Sequence, residues 1–185
     1  KVLRREIRLV EGDIFNSALL QASRRNLEAL GYFEEVKLDT RRTAVADRVD
    51  VAVEVKEKPT GAFTIGGGFS SIDGVVGVVT LSQSNLFGYG KRATVSAQLG
   101  ANANRFNIGY SDAHFWDTDY LFESRIFKTE TDYKSDQGFN TDTLGGVISI
   151  GHLLFERVFG NLSYTLENVQ IKEVEARLKS EQVQP

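Results

Sequence analysis

RATVSAQLGANANRFNIGYSD, residues 92–112, decides the fold. Ala93, Val95, Ala97 and Leu99 alternate with Arg92, Thr94, Ser96 and Gln98. After the polar connection around Asn102-Ala103-Asn104, Phe106, Ile108 and Tyr110 alternate with Arg105, Asn107, Gly109 and Ser111. A period of two sends each set to its own face of a strand, so the stretch reads as two antiparallel strands joined by a tight turn. The pattern extends outward in both directions. Seven candidate strands run at 62–69, 75–83, 92–101, 105–112, 120–131, 143–152 and 159–171. Their lengths fit the roughly 9–11 residues with which a tilted strand crosses a bilayer, the first and fourth being short. Phe63, Ile65 and Phe69 oppose Thr64, Gly66 and Gly68, and Leu162, Tyr164 and Leu166 oppose Asn161, Ser163, Thr165 and Glu167.

Alternation alone serves two architectures. A soluble sandwich or lipocalin-like barrel turns its apolar face inward, whereas a membrane barrel turns it outward to lipid. Two features favour the membrane. The polar face is rich in Gly, Ser, Thr and Asn and poor in Lys, unlike a solvated face. Phe87, Tyr89, Phe115, Trp116, Tyr120, Phe155 and Phe159 cluster near strand ends, where an interfacial girdle belongs. No apolar run approaches the roughly 18 residues of a membrane helix.

Composition narrows the function. Among 185 residues, 22 Lys and Arg against 25 Asp and Glu give a net charge of −3, without the basic field of a nucleic-acid binder. The absence of Cys excludes a disulfide scaffold, a thiolate metal site and a Cys nucleophile. With no Met and no signal-like segment near Lys1, the chain is expected to be a piece of a longer protein.

The first 60 residues hold only Gly12 and Gly31 of the 17 glycines, and only Phe15, Tyr32 and Phe33 of the aromatics. They read as α+β. A helix end or amphipathic turn over residues 4–10 is broken by Glu11-Gly12-Asp13. Asn16 or Ser17 then caps a helix carrying Leu19, Leu20, Leu27 and Leu30, and Gly31 ends it. Val36 and Leu38, then Val49, Val51, Val53 and Val55, mark two strands around a polar loop at 41–47. Lys58-Pro59-Thr60-Gly61 breaks the pattern. The expected domains are 1–58 and 59–185.

Catalytic and metal chemistry find little support. His114 and His152 lack a carboxylate at ligand spacing, and Asp112, Asp117 and Asp119 sit at a predicted turn, where Asp bonds its own backbone. Gly66-Gly67-Gly68 lacks the Lys-Ser/Thr and helix of a phosphate loop. The expectation is a protein that is not an enzyme and uses no cofactor.

Particular residues carry a family resemblance. Leu3-Arg4-Arg5-Glu6-Ile7, Glu11-Gly12-Asp13 and Leu30-Gly31-Tyr32-Phe33-Glu34-Glu35-Val36 resemble the last polypeptide-transport-associated (POTRA) repeat of the BamA family. Residues 51–61 resemble that family's junction with its barrel, residues 63–69 its first barrel strand, and Asn85-Leu86-Phe87-Gly88-Tyr89-Gly90 its second-to-third strand turn. The resemblance implies a partial POTRA repeat followed by about seven antiparallel transmembrane strands of an incomplete barrel, in the bacterial outer membrane with the POTRA part in the periplasm. The implied function is outer-membrane protein assembly and insertion. Its partners would be nascent outer-membrane proteins, accessory lipoproteins and outer-membrane lipid, with no nucleic acid.

The earlier repeats, the later strands and the family's lid-loop motif do not occur in this sequence. A secretion transporter of the two-partner type and the autotransporter assembly factor share the same build and are rivals. Within the resemblance, Phe63, Ile65, Gly66, Gly67, Gly68 and Phe69 form a weak lateral gate to which a substrate strand adds. A glycine kink that curves the barrel is the alternative role of that run. Arg4, Arg5 and Glu6 are the implied lipoprotein contact, against the plainer reading of a solvated helix face. Arg92, Arg105, Arg125 and Glu123 are expected to form a charge network on the polar face. Turns at 71–74, 101–104 and 134–141 would lie outside the cell, and those at 85–91, 112–119 and 153–159 in the periplasm.

Overall fold

Asn16 sets the start of the helix on which the first unit is built. Its backbone is extended (φ −131°), and its side chain accepts hydrogen bonds from the Ala18 and Leu19 N–H groups at 2.9 and 3.4 Å. The helix, α2, runs Ser17–Ala29, and Gly31 closes it at φ +70°, a conformation that costs glycine nothing. In this computed structural model, which describes residues 1–44, 48–71, 73–132, 139–155 and 157–172, α2 is preceded by α1 (Val2–Glu6). The helical segment expected at 4–10 thus ends early. At Ile7 the chain is already extended, because α2 satisfies the groups that follow: Arg8 N–H donates to Ser23 Oγ at 2.8 Å, and Asn26 donates to the Glu6 carbonyl.

Next come β1 (Phe33–Arg42) and β2 (Val49–Glu57), paired antiparallel. Val36 lies opposite Val55, Leu38 opposite Val53 and Thr40 opposite Val51. The intervening positions pair Glu35 with Lys56, Lys37 with Glu54 and Arg41 with Asp50, so opposite charges face each other on the solvated side. Among the described residues of this unit, Leu27, Ser23, Val36 and Val2 are buried. The loop expected at 41–47 begins later than expected, because Arg41 and Arg42 still pair with Asp50 and Val49; its residues 45–47 lie outside those described. By compactness the unit comprises Lys1–Thr60 together with Phe87–Gly90, and within it Gly90 packs against Val2 and Tyr32.

The second unit is a single antiparallel sheet in sequence order: β3 (Gly61–Ser70), β4 (Gly74–Leu86), β5 (Lys91–Gly100), β6 (Ala103–Asp112), β7 (Tyr120–Asp132), β8 (Asn140–Phe155) and β9 (Val158–Lys172). All seven expected strands occur. The two expected to be short each reach 10 residues, because turn residues such as Gly61 and Ser70 join the ladder opposite Gln83 and Gly74. The 134–141 connection and the 71–74 turn lie partly outside the described residues, at 134–138 and Ile72.

Register keeps the two faces pure. Along one rung Leu81, Val95, Ile108 and Ile126 stand side by side. One residue along, Thr80, Ser96 and Asn107 occupy the other face. The apolar row covers no core: Val95, Ile108, Ile126 and Leu162 are all exposed, and Ala103 is the only buried apolar residue described in the sheet. A continuous apolar face of this extent, with nothing packed on it, is the surface a membrane strand offers to lipid and would make a soluble sandwich insoluble. Replacing Ile108 or Val95 by Arg in the full-length protein is therefore expected to cost about 2–4 kcal/mol and impair barrel assembly. The same change at Asn107 or Ser96 is expected to be tolerated, as read from heat-modifiable mobility in membranes.

Candidate functional site at the β3 edge

β3 pairs with β4 on one side, and its other edge has no partner among the described residues. Phe63, Ile65 and Phe69 stand exposed on the apolar face, Phe69 at 80%. Gly66, Gly67 and Gly68 lie opposite Val78, Gly77 and Val76. The six residues picked out in the sequence are thus brought together along one bare edge.

Three consecutive open glycines set β3 apart from the packed glycines of the sheet, although single glycines at Gly77, Gly109 and Gly146 are open too. A methyl group added at Gly66 would meet no heavy atom within 4 Å, at Gly68 only Val76 at 4.0 Å, and at Gly67 only the Val76 carbonyl at 3.4 Å. Gly145, by contrast, lies beneath the Phe127 ring, where an added methyl would come within 2.5 Å of Cζ and 3.0 Å of the Leu166 carbonyl oxygen. Gly151 lies likewise beneath Phe159, and at Gly100 a methyl would sit 3.0 Å from Val76 Cγ1 and the Ala103 carbonyl. At β8 glycine makes room for an aromatic cover, which restores the packing that a bare glycine loses. At β3 the glycines are simply open.

The turn that ends β3 is held firmly. Arg105 grips the Asp73 carboxylate at two points, Nη1 to Oδ2 at 2.8 Å and Nη2 to Oδ1 at 3.3 Å. The Asp73 carbonyl accepts from the Ala101 and Asn102 N–H groups at 3.0 and 3.4 Å, and the Asp73 N–H donates to Ser70 Oγ at 3.1 Å. Asn102 in turn accepts from the Asp132 N–H at 2.7 Å. Asp73 is only 8% exposed. The hydrogen bond from Arg105, outweighing the opposing effect of desolvation, holds the Asp73 carboxyl below the usual carboxylate range.

The polar face carries a hollow of about 420 Å3 between Arg92, Glu123 and Arg125, with Thr94, Ser111 and Ser149 on its walls. Arg125 also lies over the Phe127 ring at 5.5 Å. Arg105, expected in the same network, does not line this hollow: it reaches instead to the β3–β4 turn. Sequence reading missed Asp73, which had looked like an ordinary turn residue. The one available signal was a lone acid in a short turn near an arginine on the polar face.

The remaining candidates have local roles. Asp112 accepts from the His114 N–H at 3.0 Å through Oδ1 and meets Lys91 through Oδ2 at 3.4 Å. His152 Nδ1 donates to the Asp119 carbonyl at 3.1 Å, and its ring stacks on Tyr120. No group of three potential metal ligands gathers among the described residues. In the first unit Arg4 pairs with Glu11 at 3.1 Å, while Glu6 and Arg5 are half-buried on α1.

Comparison with known proteins places this geometry. Residues 1–58 match the family described as POTRA, surface antigen variable number repeat, and residues 85–184 match the Omp85 superfamily domain. The second match spans more than half of the sequence, and the chain belongs to the Omp85 superfamily. It is 28% identical to outer membrane protein assembly factor BamA of Neorickettsia risticii over 94% of its own length and 23% of the relative's. Against BamA of Nitratidesulfovibrio vulgaris the values are 30%, 94% and 22%. The chain therefore spans about a quarter of the length of these curated relatives. Among solved structures, BamA from Haemophilus ducreyi lacking POTRA domains 1–3 shares the fold, with a TM-score of 0.80 at 23% identity over 91% of this chain and 33% of the other. The strands are those of an outer-membrane β-barrel, preceded by a periplasmic POTRA region, and the soluble ligand-binding reading falls.

Two outcomes follow from the glycine environments and the buried turn. Gly145→Ala must displace the Phe127 ring and press on backbone, an overpacking expected to cost about 1–3 kcal/mol, whereas Gly66→Ala should leave unfolding of the full-length barrel unchanged. Denaturant titration of both variants measures this. The second outcome concerns pH. Because the folded Asp73 pKa lies below its unfolded value, the ion pair contributes fully above the unfolded value, and its contribution is lost as pH falls through the folded one. Hydrogen exchange at the 70–74 turn should thus be flat with respect to this pair from neutral pH down to the ordinary carboxylate range, once intrinsic rates are divided out, and should rise only below it.

Proposed function

We propose that this chain is the POTRA–barrel junction, 1–58 and 59–185, of an outer-membrane protein assembly and insertion factor, and that β3 is its templating edge. The open glycines carry the reading. Nothing within this sheet requires a hydrogen at Gly66 or Gly68, so their effect is to withhold side-chain contacts, each of which elsewhere supplies about 0.2–1 kcal/mol across a strand pair. A seam closed on this strand separates more readily than its neighbours do. Once open, its bare N–H and C=O groups are costly in hydrocarbon, and an incoming strand satisfies them by main-chain pairing without demanding a particular sequence. Phe63, Ile65 and Phe69 keep the strand seated in lipid meanwhile. Nascent outer-membrane proteins are the substrates, and the 71–74, 101–104 and 134–141 turns face the exterior.

Arg4, Arg5 and Glu6 are the proposed contact for an accessory lipoprotein. The names of the two relatives matched over 94% of the chain support an assembly factor over a secretion transporter of similar build. Single photo-crosslinkers at Phe63, Ile65, Gly67 and Phe69 of the full-length protein should capture a stalled barrel substrate, whereas probes at Val95 and Ala97 should not. A disulfide tying β3 to the closing strand should stop growth until reductant is added. Growth at the normal rate with the seam fully locked would defeat the gate.

A further inference from the structure

The ion pair at the end of β3 lies outside the polar hollow, and almost every polar group of Asp73 is committed. Its N–H engages Ser70 of β3, its carbonyl engages the turn between β5 and β6, and both carboxylate oxygens engage Arg105 of β6. The neighbouring space is equally full. Gly74 adopts φ +72° with its Cβ direction 3.1 Å from the Ala101 methyl, and at Gly100 an added methyl would meet the Asp73 carbonyl at 3.2 Å. A hairpin needs none of this to turn. The effect is to fasten the Ser70 end of β3 beyond its hairpin partner, to the third and fourth strands of the sheet.

We infer that Asp73 and Arg105 are positioning residues for the templating edge: their two-point grip fixes the register and direction of β3 at its turn end while the seam opens. This rests on the reading of β3 as the templating strand. A strand held only by β4 through three open glycines can twist or slip by a residue, and a one-residue slip turns every side chain to the opposite face. With Asp73 gripped, slippage requires breaking a partly buried, bidentate, charge-assisted contact together with two backbone hydrogen bonds. An incoming strand therefore meets donors and acceptors at fixed heights near Phe69.

The test uses the full-length protein in lipid nanodiscs. The variants are Asp73→Asn, Arg105→Gln, Arg105→Lys and the exchange Asp73→Arg with Arg105→Asp. Two readouts are taken: hydrogen exchange of residues 61–70 without substrate, and substrate capture by crosslinkers at Phe69 and Phe63. Loss of a charge-assisted hydrogen bond should speed exchange in 66–70 by about tenfold. Exchange in 144–152 should not change. Capture at Phe69 should fall while capture at Phe63 persists. The exchanged pair should restore both readouts, and Arg105→Lys, which keeps the charge but not the fork, should behave like Arg105→Gln, so that misfolding of one variant does not remove the test. Unchanged exchange in 66–70, or equal acceleration in 144–152, overturns the inference, as does equal loss of capture at both probes. If the wild-type protein captures substrate at neither probe, the templating reading fails while the exchange data still judge the grip itself.

Discussion

Every backbone N–H and C=O placed in hydrocarbon needs a partner within the protein, and most of this structure follows from that requirement. It forces strands into unbroken ladders, and the six registers from β3 to β9 run without interruption through the middle of the sheet. It forces side chains into two sorted faces, since each residue shared between ladders carries its neighbours' alternation with it. The same requirement also makes an edge the one reactive feature of an otherwise inert sheet. A bare edge in water is an aggregation hazard. In a membrane it is a stronger demand for a strand, and the proposed templating role would use it.

Glycine sets how strongly that demand is already met. β8, at 16 residues, is long and carries two glycines covered by aromatic rings, Gly145 by Phe127 and Gly151 by Phe159. β3 is 10 residues long, and Gly66, Gly67 and Gly68 within it are uncovered. One residue type thus serves opposite ends. Beneath a ring it is the only residue that fits, and replacing it strains the sheet. On β3 it withholds side-chain contacts, and a methyl added at Gly66 meets nothing in the sheet. A count of glycines along the sequence does not separate these cases, because the difference lies in what the adjacent strand places above each one.

Much of this architecture was readable from residue order alone because alternation with a period of two is a local signal repeated in every strand. The helix boundaries at Asn16 and Gly31 were equally local, each fixed by the chemistry of one residue. What escaped were features that depend on partners far along the chain. Asp73 and Arg105 are separated by 32 positions and meet only because three strands bring the turn over β6. Ser23, on α2, is fully buried, donating to the Leu19 carbonyl while accepting from Arg8 N–H, a role that only the fold reveals. The sorting of open from covered glycines required the register of β7 against β8. Trp116 and Phe87 adopt φ +54°, a conformation that side chains of their size rarely take and that residue propensity argues against.

A strand that templates another has two mechanical needs that ordinarily conflict. It must separate easily sideways, so that the seam can open, and it must resist sliding lengthwise, so that the exposed groups stay in register. Side-chain packing along a strand opposes both motions together, since the same contacts that resist slippage also resist separation. Concentrating the lengthwise restraint in one turn avoids the conflict. In the proposed arrangement, open glycines would lower the resistance to separation along the strand, while a charged, two-point contact at its end would resist sliding without adding anything to the seam. On this argument the composition of β3 and the placement of Asp73 are parts of one solution, and neither would serve a templating edge without the other.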